Sequence, residues 1–169
     1  MVLSDTGFWY AFFNPKDKYH PHSLAVMQRL NEGLITTWPV ITETCSLLGK
    51  ALGGKSQLRF LQALDANYVE VFQIQPKHLP HIQQLMQKYA DLPMDLADAS
   101  LVILAEELGH GRILSTINAI LKPIAGTITN HSKISYCRNN HVTAAKTDCH
   151  ERTRLSGVCV PHTRRFRIV

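Results

Sequence analysis

Alternation constrains this chain more than any single residue does. Short apolar or β-rich runs take turns with segments of helical period from residue 1 to residue 116. Met1–Ser4 is an apolar run that stops at Asp5, and it reads as a first buried strand. Phe8–Phe13 is apolar for one or two turns until Asn14-Pro15 breaks it, and its aromatics read as core. Asp17–His22 reads as polar loop. From His22 to Asn31, Leu24, Ala25, Met27 and Leu30 fall at helical spacing. Leu34–Thr37 reads as a second strand. Pro39 suits the first turn of a helix reaching about Leu52. Lys55–Ala66 predicts another helix, with Leu58, Phe60, Leu61 and Leu64 inward. Tyr68–Ile74 alternates like a third strand. Leu79–Tyr89 predicts a helix with Ile82, Leu85, Met86 and Tyr89 inward. Strands that alternate with helices argue for a parallel sheet covered on both faces. Ligands of such sheets bind at the carboxyl ends of the strands.

The last part of this pattern, Leu92–Thr116, reads as a helix, a Gly-His-Gly turn and the strand Arg112–Ser115. Within the helix, Asp98 stands four residues after Met94 and three, four and seven before Leu101, Val102 and Ala105. Those offsets share a face, so a carboxylate interrupts an apolar stripe, where it is costly unless paired. Glu43 interrupts another, between Val40 and Leu47. Asp5 stands where the first strand ends, at the edge where ligands bind. Each acid also has a plain reading: Asp5 as a helix cap, Glu43 as an ordinary helix residue, Asp98 as an acid favoured in a first turn. Asp95 reads as the cap of that helix. Glu106 and Glu107 read as a solvated face.

If the fold gathers Asp5, Glu43 and Asp98, their repulsion must be offset. Two unit charges at 4 Å repel by ~1 kcal/mol in water and ~4 kcal/mol at an intermediate dielectric. Mg2+ or Mn2+ removes that repulsion, because hard cations prefer carboxylate oxygens. A cation so held activates water and stabilises in-line displacement at phosphorus. That is nuclease chemistry. The lack of a Gly-rich phosphate loop after a strand argues against a nucleotide-binding protein.

Composition matters mainly through its unevenness. The chain of 169 residues carries a net charge of +5. Residues 1–116 balance at −2 and residues 117–169 at +7, so the basicity says nothing about the body. Three of the four cysteines, Cys137, Cys149 and Cys159, also lie in the last third, apart from Cys45. Their spacing suggests no disulfide framework. No apolar run approaches the ~18 residues of a membrane span, and the first residues lack a basic leader segment. A cytoplasmic location is expected.

Taken together, these pieces resemble the PIN domain, in particular the ribonuclease toxins of VapBC-type toxin–antitoxin modules. Val2-Leu3-Ser4-Asp5-Thr6-Gly7 looks like the opening strand with its metal-binding Asp. Ile41-Thr42-Glu43-Thr44 looks like the second motif, and Met94–Leu101 the third, with Asp98 in the acidic position. Gly111-Arg112-Ile113-Leu114-Ser115-Thr116 looks like the strand leading into the fourth. The resemblance implies a three-layer α/β/α sandwich around a parallel sheet. It implies Mg2+- or Mn2+-dependent cleavage of single-stranded or loop RNA, with Asp5, Glu43 and Asp98 holding the metal. It implies supporting hydroxyls from Thr6 and Thr116, a homodimer and an antitoxin partner.

The resemblance covers 1–116 and then stops. The family follows its Ser-Thr with Asp-x-x-Asp-Phe, whereas this chain reads Ile117-Asn118-Ala119-Ile120-Leu121. The fourth acid is missing, and the final strand and helix of the fold are expected to be lost. Codons compatible with Ile117–Leu121, read one base earlier, encode Asp-Gln-Arg-Asp-Phe. The same shift through Lys122–Gly126 permits Lys-Thr-Tyr-Arg-Trp, like the family's last strand. A frameshift is therefore expected to have made 117–169 an atypical, poorly ordered tail beyond an incomplete nuclease domain. The competing reading is a genuine extension. In it, Cys137, His141, Cys149, His150, Cys159 and His162 would be zinc ligands, although their spacings repeat no known knuckle. The Arg152–Arg167 cluster would meet an RNA backbone. With three acids left, the two outcomes to weigh are an impaired ribonuclease and a catalytically dead module that still binds an antitoxin.

Overall fold

A computed structural model of the chain describes residues 1–66, 69–92 and 94–116. The expectations for residues 117–169 therefore lie outside the described residues. The elements run in the predicted alternation: β1 (Val2–Ser4), α1 (Thr6–Phe13), α2 (His20–Arg29), β2 (Leu34–Thr37), α3 (Trp38–Leu52), α4 (Gly54–Ala66), β3 (Glu70–Phe72), α5 (Leu79–Lys88), α6 (Leu96–Leu108) and β4 (Ile113–Leu114). A single 3-10 turn, Pro76–His78, leads into α5.

The four strands form one sheet in the order β3-β2-β1-β4, and every pairing is parallel. All residues of β1, β2 and β4 are buried. Successive strand side chains point to opposite faces, so both faces of the sheet are covered, as a parallel sheet requires. Helix α6 packs against α3, α5 and β2. From Ala99 to Ala105 every residue of α6 is buried. It ends at Gly109, whose φ of 68° gives the left-handed cap that glycine supplies most readily.

Phe8, Trp9 and Phe12 of α1 are core, as read, while Phe13 is half-buried against it and Tyr10, also half-buried, is a correction to that reading. Trp9 and Phe13 lie 5.7 and 5.5 Å, centroid to centroid, from Phe60 of α4. Trp9 is fully buried, and its Nε1–H donates to the Ser4 hydroxyl at 3.0 Å. That hydroxyl donates to the Ile35 carbonyl, and the Thr36 hydroxyl donates back to the Ser4 carbonyl. The carboxyl ends of β1 and β2 are thus stitched together by satisfied buried polar groups, which fixes the edge from which Asp5 emerges.

Several expected details are corrected. Helix α2 begins at His20, within the segment read as loop, because Pro21 fits the first turn of a helix. Strand β3 is confined to Glu70–Phe72, and Tyr68 lies outside the described residues. Leu58, Leu61 and Met86 were assigned inward but are 57%, 43% and 39% exposed. Helix α4 buries the narrower stripe of Phe60 and Leu64, and α5 buries Ile82 and Leu85.

Candidate active site

Asp5 follows β1 directly. Its N–H continues the ladder to the Leu114 carbonyl at 3.1 Å. Ser4 pairs with Leu114, so the register brings Asp5 alongside Ser115. One carboxylate oxygen of Asp5, Oδ1, accepts the Phe8 N–H at 2.7 Å and caps α1. The cap reading and the cleft reading of Asp5 therefore both describe it. Burial pushes this carboxyl from 3.8 up to about 7. Hydrogen bonds from the Ser115 hydroxyl and the Phe8 N–H oppose the rise, and the charges of Asp98 and Glu43 add to it.

Glu43 sits in the second turn of α3, half-buried. The Thr6 hydroxyl donates to its Oε2 at 2.5 Å, so the residue after the strand-end Asp holds an acid from a different helix. Desolvation raises the Glu43 pKa, the Thr6 hydrogen bond lowers it, and the neighbouring Asp95 raises it further.

Asp98 occupies the first turn of α6 in a reciprocal cap. Its N–H donates to Asp95 Oδ1 at 2.9 Å, and the Asp95 N–H reaches Asp98 Oδ2 at 3.4 Å. Because α6 is buried all round in its middle, the single apolar stripe was not what set Asp98 apart. It is half-buried because it lies at the helix mouth, beside the cleft. Desolvation and the charges of Asp95 and Glu43 push its carboxyl from 3.8 to about 6, against a backbone hydrogen bond that lowers it.

One cleft of about 360 Å³ receives all of these groups. Asp5, Thr6, Glu43, Asp98 and Thr116, the five residues singled out from the sequence, all line it. So do residues that sequence reasoning missed or placed elsewhere: Asp95, Ser115, Tyr10, Asp17 and Tyr19. Asp95 is the helix cap it was read as, and also an acid of the cleft. Leu47, expected inward beside Glu43, lines the cleft and is 37% exposed.

The donor set is of hard carboxylate oxygens, and burial or repulsion penalises the ionised forms of Asp5, Glu43 and Asp98 alike. That is the chemistry a divalent cation fits. Among the described residues, no three of His, Cys, Asp and Glu stand close enough to form a ready cage. Mg2+ does not require one, since it keeps several waters and takes only one or two protein carboxylates.

The PIN domain family model matches residues 2–116. The chain belongs to the PIN domain family. A solved structure with the same fold is VapC20 of Mycobacterium tuberculosis, described as a sarcin-ricin loop cleaving toxin. It aligns with a TM-score of 0.66 at 17% identity, covering 71% of this chain and 92% of that one. No curated protein sequence matches this PIN domain. By its family the chain resembles the PIN-type nucleases. Among its described residues, no helix is long and apolar enough to cross a membrane.

Proposed function

We propose that this PIN domain is a metal-dependent endoribonuclease, the toxin component of a toxin–antitoxin pair, acting on single-stranded or loop RNA and impaired by the missing fourth acid. The observation that carries the proposal is the meeting of Asp5, Glu43 and Asp98 in one cleft at the carboxyl edge of the sheet. The toxin that shares its fold is described as cleaving the sarcin-ricin loop. Asp5, Asp98 and Glu43 would hold Mg2+ or Mn2+. When bound, such an ion lowers the pKa of water and offsets charge developing at phosphorus. The chain's own residues prepare the place for it. Asp5 is fixed by the Phe8 N–H and Ser115, Asp98 by its reciprocal bonds with Asp95, and Glu43 by Thr6. Fixing each acid through a second group limits the reorganisation needed when the site fills. Thr116 is the other supporting hydroxyl of the cleft. An antitoxin protein, a second copy of the chain and a cytoplasmic place of action complete the proposal.

The second reading is a catalytically dead module that only binds its antitoxin. It is favoured by the sequence after Thr116, which holds no acid before Asp148. One assay separates the two. Purified chain is incubated with single-stranded RNA in Mg2+ or Mn2+, beside its Asp5→Ala variant. Metal-dependent cleavage that vanishes with Asp5 supports the ribonuclease. Cleavage that survives loss of Asp5 refutes the assigned site, and no cleavage by either chain supports the dead module.

The Thr6–Glu43 bond gives a finer prediction. Thr6→Val keeps the branched shape and removes the donor. It is expected to weaken metal-dependent cleavage by about 10- to 100-fold, the usual effect of losing a partner that orients a metal-holding group. Thr6→Ser should stay near the parent. Equal activity in Thr6→Val, at saturating and limiting Mg2+, would show that the bond orients nothing.

A further inference from the structure

Metal and acids account for the chemistry of the cleft but not for its other wall. Tyr10, from α1, and Tyr19, at the start of α2, line the same cleft as Asp5, Glu43 and Asp98. Both are half-buried. The short connection between α1 and α2 is pinned. The Asp17 N–H donates to the Asn14 carbonyl at 2.9 Å, and Asp17 Oδ1 accepts the Tyr19 N–H at 2.8 Å. The His20 ring bonds back to the Ala11 carbonyl at 2.8 Å. The Tyr19 ring therefore sits on a rigid turn. The ammonium of Lys18 lies over it, 4.7 Å from the centroid.

Charge sharpens the question of what this wall does. Among the described residues that line the cleft there is no Lys or Arg, while Asp5, Asp17, Glu43, Asp95 and Asp98 all lie there. Binding of RNA through its phosphates is therefore poorly served inside the cleft. Proteins that hold single strands combine backbone neutralisation with stacking of bases on aromatic rings. Among the described lining residues the first contribution is nearly absent, and the second has two candidate rings.

We propose that Tyr19, with Lys18 over one face of its ring and Tyr10 lining the same cleft, is the stacking platform for an unpaired nucleobase next to the phosphate that the acids face. This deepens the ribonuclease reading and rests on it. It makes the substrate class specifically unpaired RNA, because a base held in a duplex stack presents no free face. It also makes recognition tolerant of base identity, since every base has a π face. Tyr19 is a substrate-binding residue in this scheme and moves no proton.

The test uses the full chain with Asp5→Asn, so that RNA binds without being cut, and an unpaired RNA hexamer carrying one 2-aminopurine. Stacking quenches that base. Quenching is expected with the hexamer and not when the same strand is annealed to its complement. Tyr19→Ala is expected to abolish the quench and weaken binding by about tenfold or more, the size of one lost base stack. Tyr19→Phe and Tyr19→Trp should retain both, and Tyr19→Leu, which keeps apolar bulk without a π face, should behave like Ala. With Asp5 restored, Tyr19→Ala should raise KM for cleavage and leave kcat little changed. Unchanged quenching and KM in Tyr19→Ala, or Leu behaving like Phe, would overturn the stacking role while leaving the ribonuclease reading intact. A parent chain that neither binds nor cuts unpaired RNA in Mg2+ or Mn2+ overturns both.

Discussion

Asp5→Asn is expected to raise the melting temperature of the metal-free chain at pH 8 by about 5 °C or more, while abolishing metal-dependent cleavage. The two effects have one cause. In the folded chain burial raises the Asp5 carboxyl from 3.8 to about 7. The folded state then binds more protons than the unfolded state across that interval. Stability is accordingly lost as pH rises from about 4 to about 7, and above that the penalty is complete. A shift of this size corresponds to at most about 4 kcal/mol. Asn removes the ionisation and still caps α1, because Asn and Asp are about equally good helix N-caps. Each kcal/mol moves the melting temperature of a domain near 100 residues by roughly 4–8 °C, so a fraction of the full penalty suffices. Thermal unfolding of both chains between pH 4 and pH 8 gives the check. The difference between them should be near zero at pH 4 and grow through the interval. A pH-independent difference would mean that Asp5 is not held in the protonation state its burial dictates. Asp98, raised to about 6, and Glu43 push in the same direction, so saturating Mg2+ should stabilise the parent more than the variant. A site that destabilises its own fold when empty is what the proposed cation-binding role would leave behind.

The same residues show how far the sequence could be read. The ends of β1 and β2 and the start of α3 follow from local chemistry: β-branched or apolar runs stopped by Asp5 and by Trp38-Pro39. That Asp5, Glu43 and Asp98 share one cleft could be anticipated for different reasons: Asp5 because it ends the first strand, Glu43 because it interrupts an apolar pattern, and Asp98 by a stripe argument that the all-round burial of α6 replaces with its place at the helix mouth. Ser115 was within reach but missed. It becomes a partner of Asp5 only through the register of two strands separated by most of the domain, and no local pattern carries register. Tyr10, Asp17 and Tyr19 reach the cleft from a helix and a turn that periodicity does not orient. The inward assignments of Leu58, Leu61 and Met86 failed for the complementary reason. A helical stripe drawn from composition is wider than the stripe that tertiary packing covers, and apolar residues at its border remain in water.

Replacing Ile117-Asn118-Ala119-Ile120-Leu121 by Asp-Gln-Arg-Asp-Phe is expected to raise Mg2+- or Mn2+-dependent RNA cleavage by at least about tenfold. The lower bound comes from the 10- to 100-fold cost of losing groups that merely orient a metal's ligands, since a ligand itself contributes more. The position of the change is what makes the expectation specific. Ser115 hydrogen-bonds to Asp5, and Thr116 lines the cleft, so the change begins directly after two residues that stand with the acids of the cleft. The gain has a counterpart in stability. Each further close carboxylate pair adds ~1–4 kcal/mol of repulsion, depending on the dielectric around it. The corrected chain should therefore melt lower than the parent without metal and show the larger rise when Mg2+ is added. Loss of the new activity on Asp5→Ala would tie it to the assigned cleft. A corrected chain that stays inactive, with a metal-induced melting shift no larger than the parent's, would mean that the fourth acid is not what this chain lacks. Sequencing the gene supplies the independent arm: a DNA sequence in which no single-base shift restores the two acids removes the frameshift as the origin of residues 117–169.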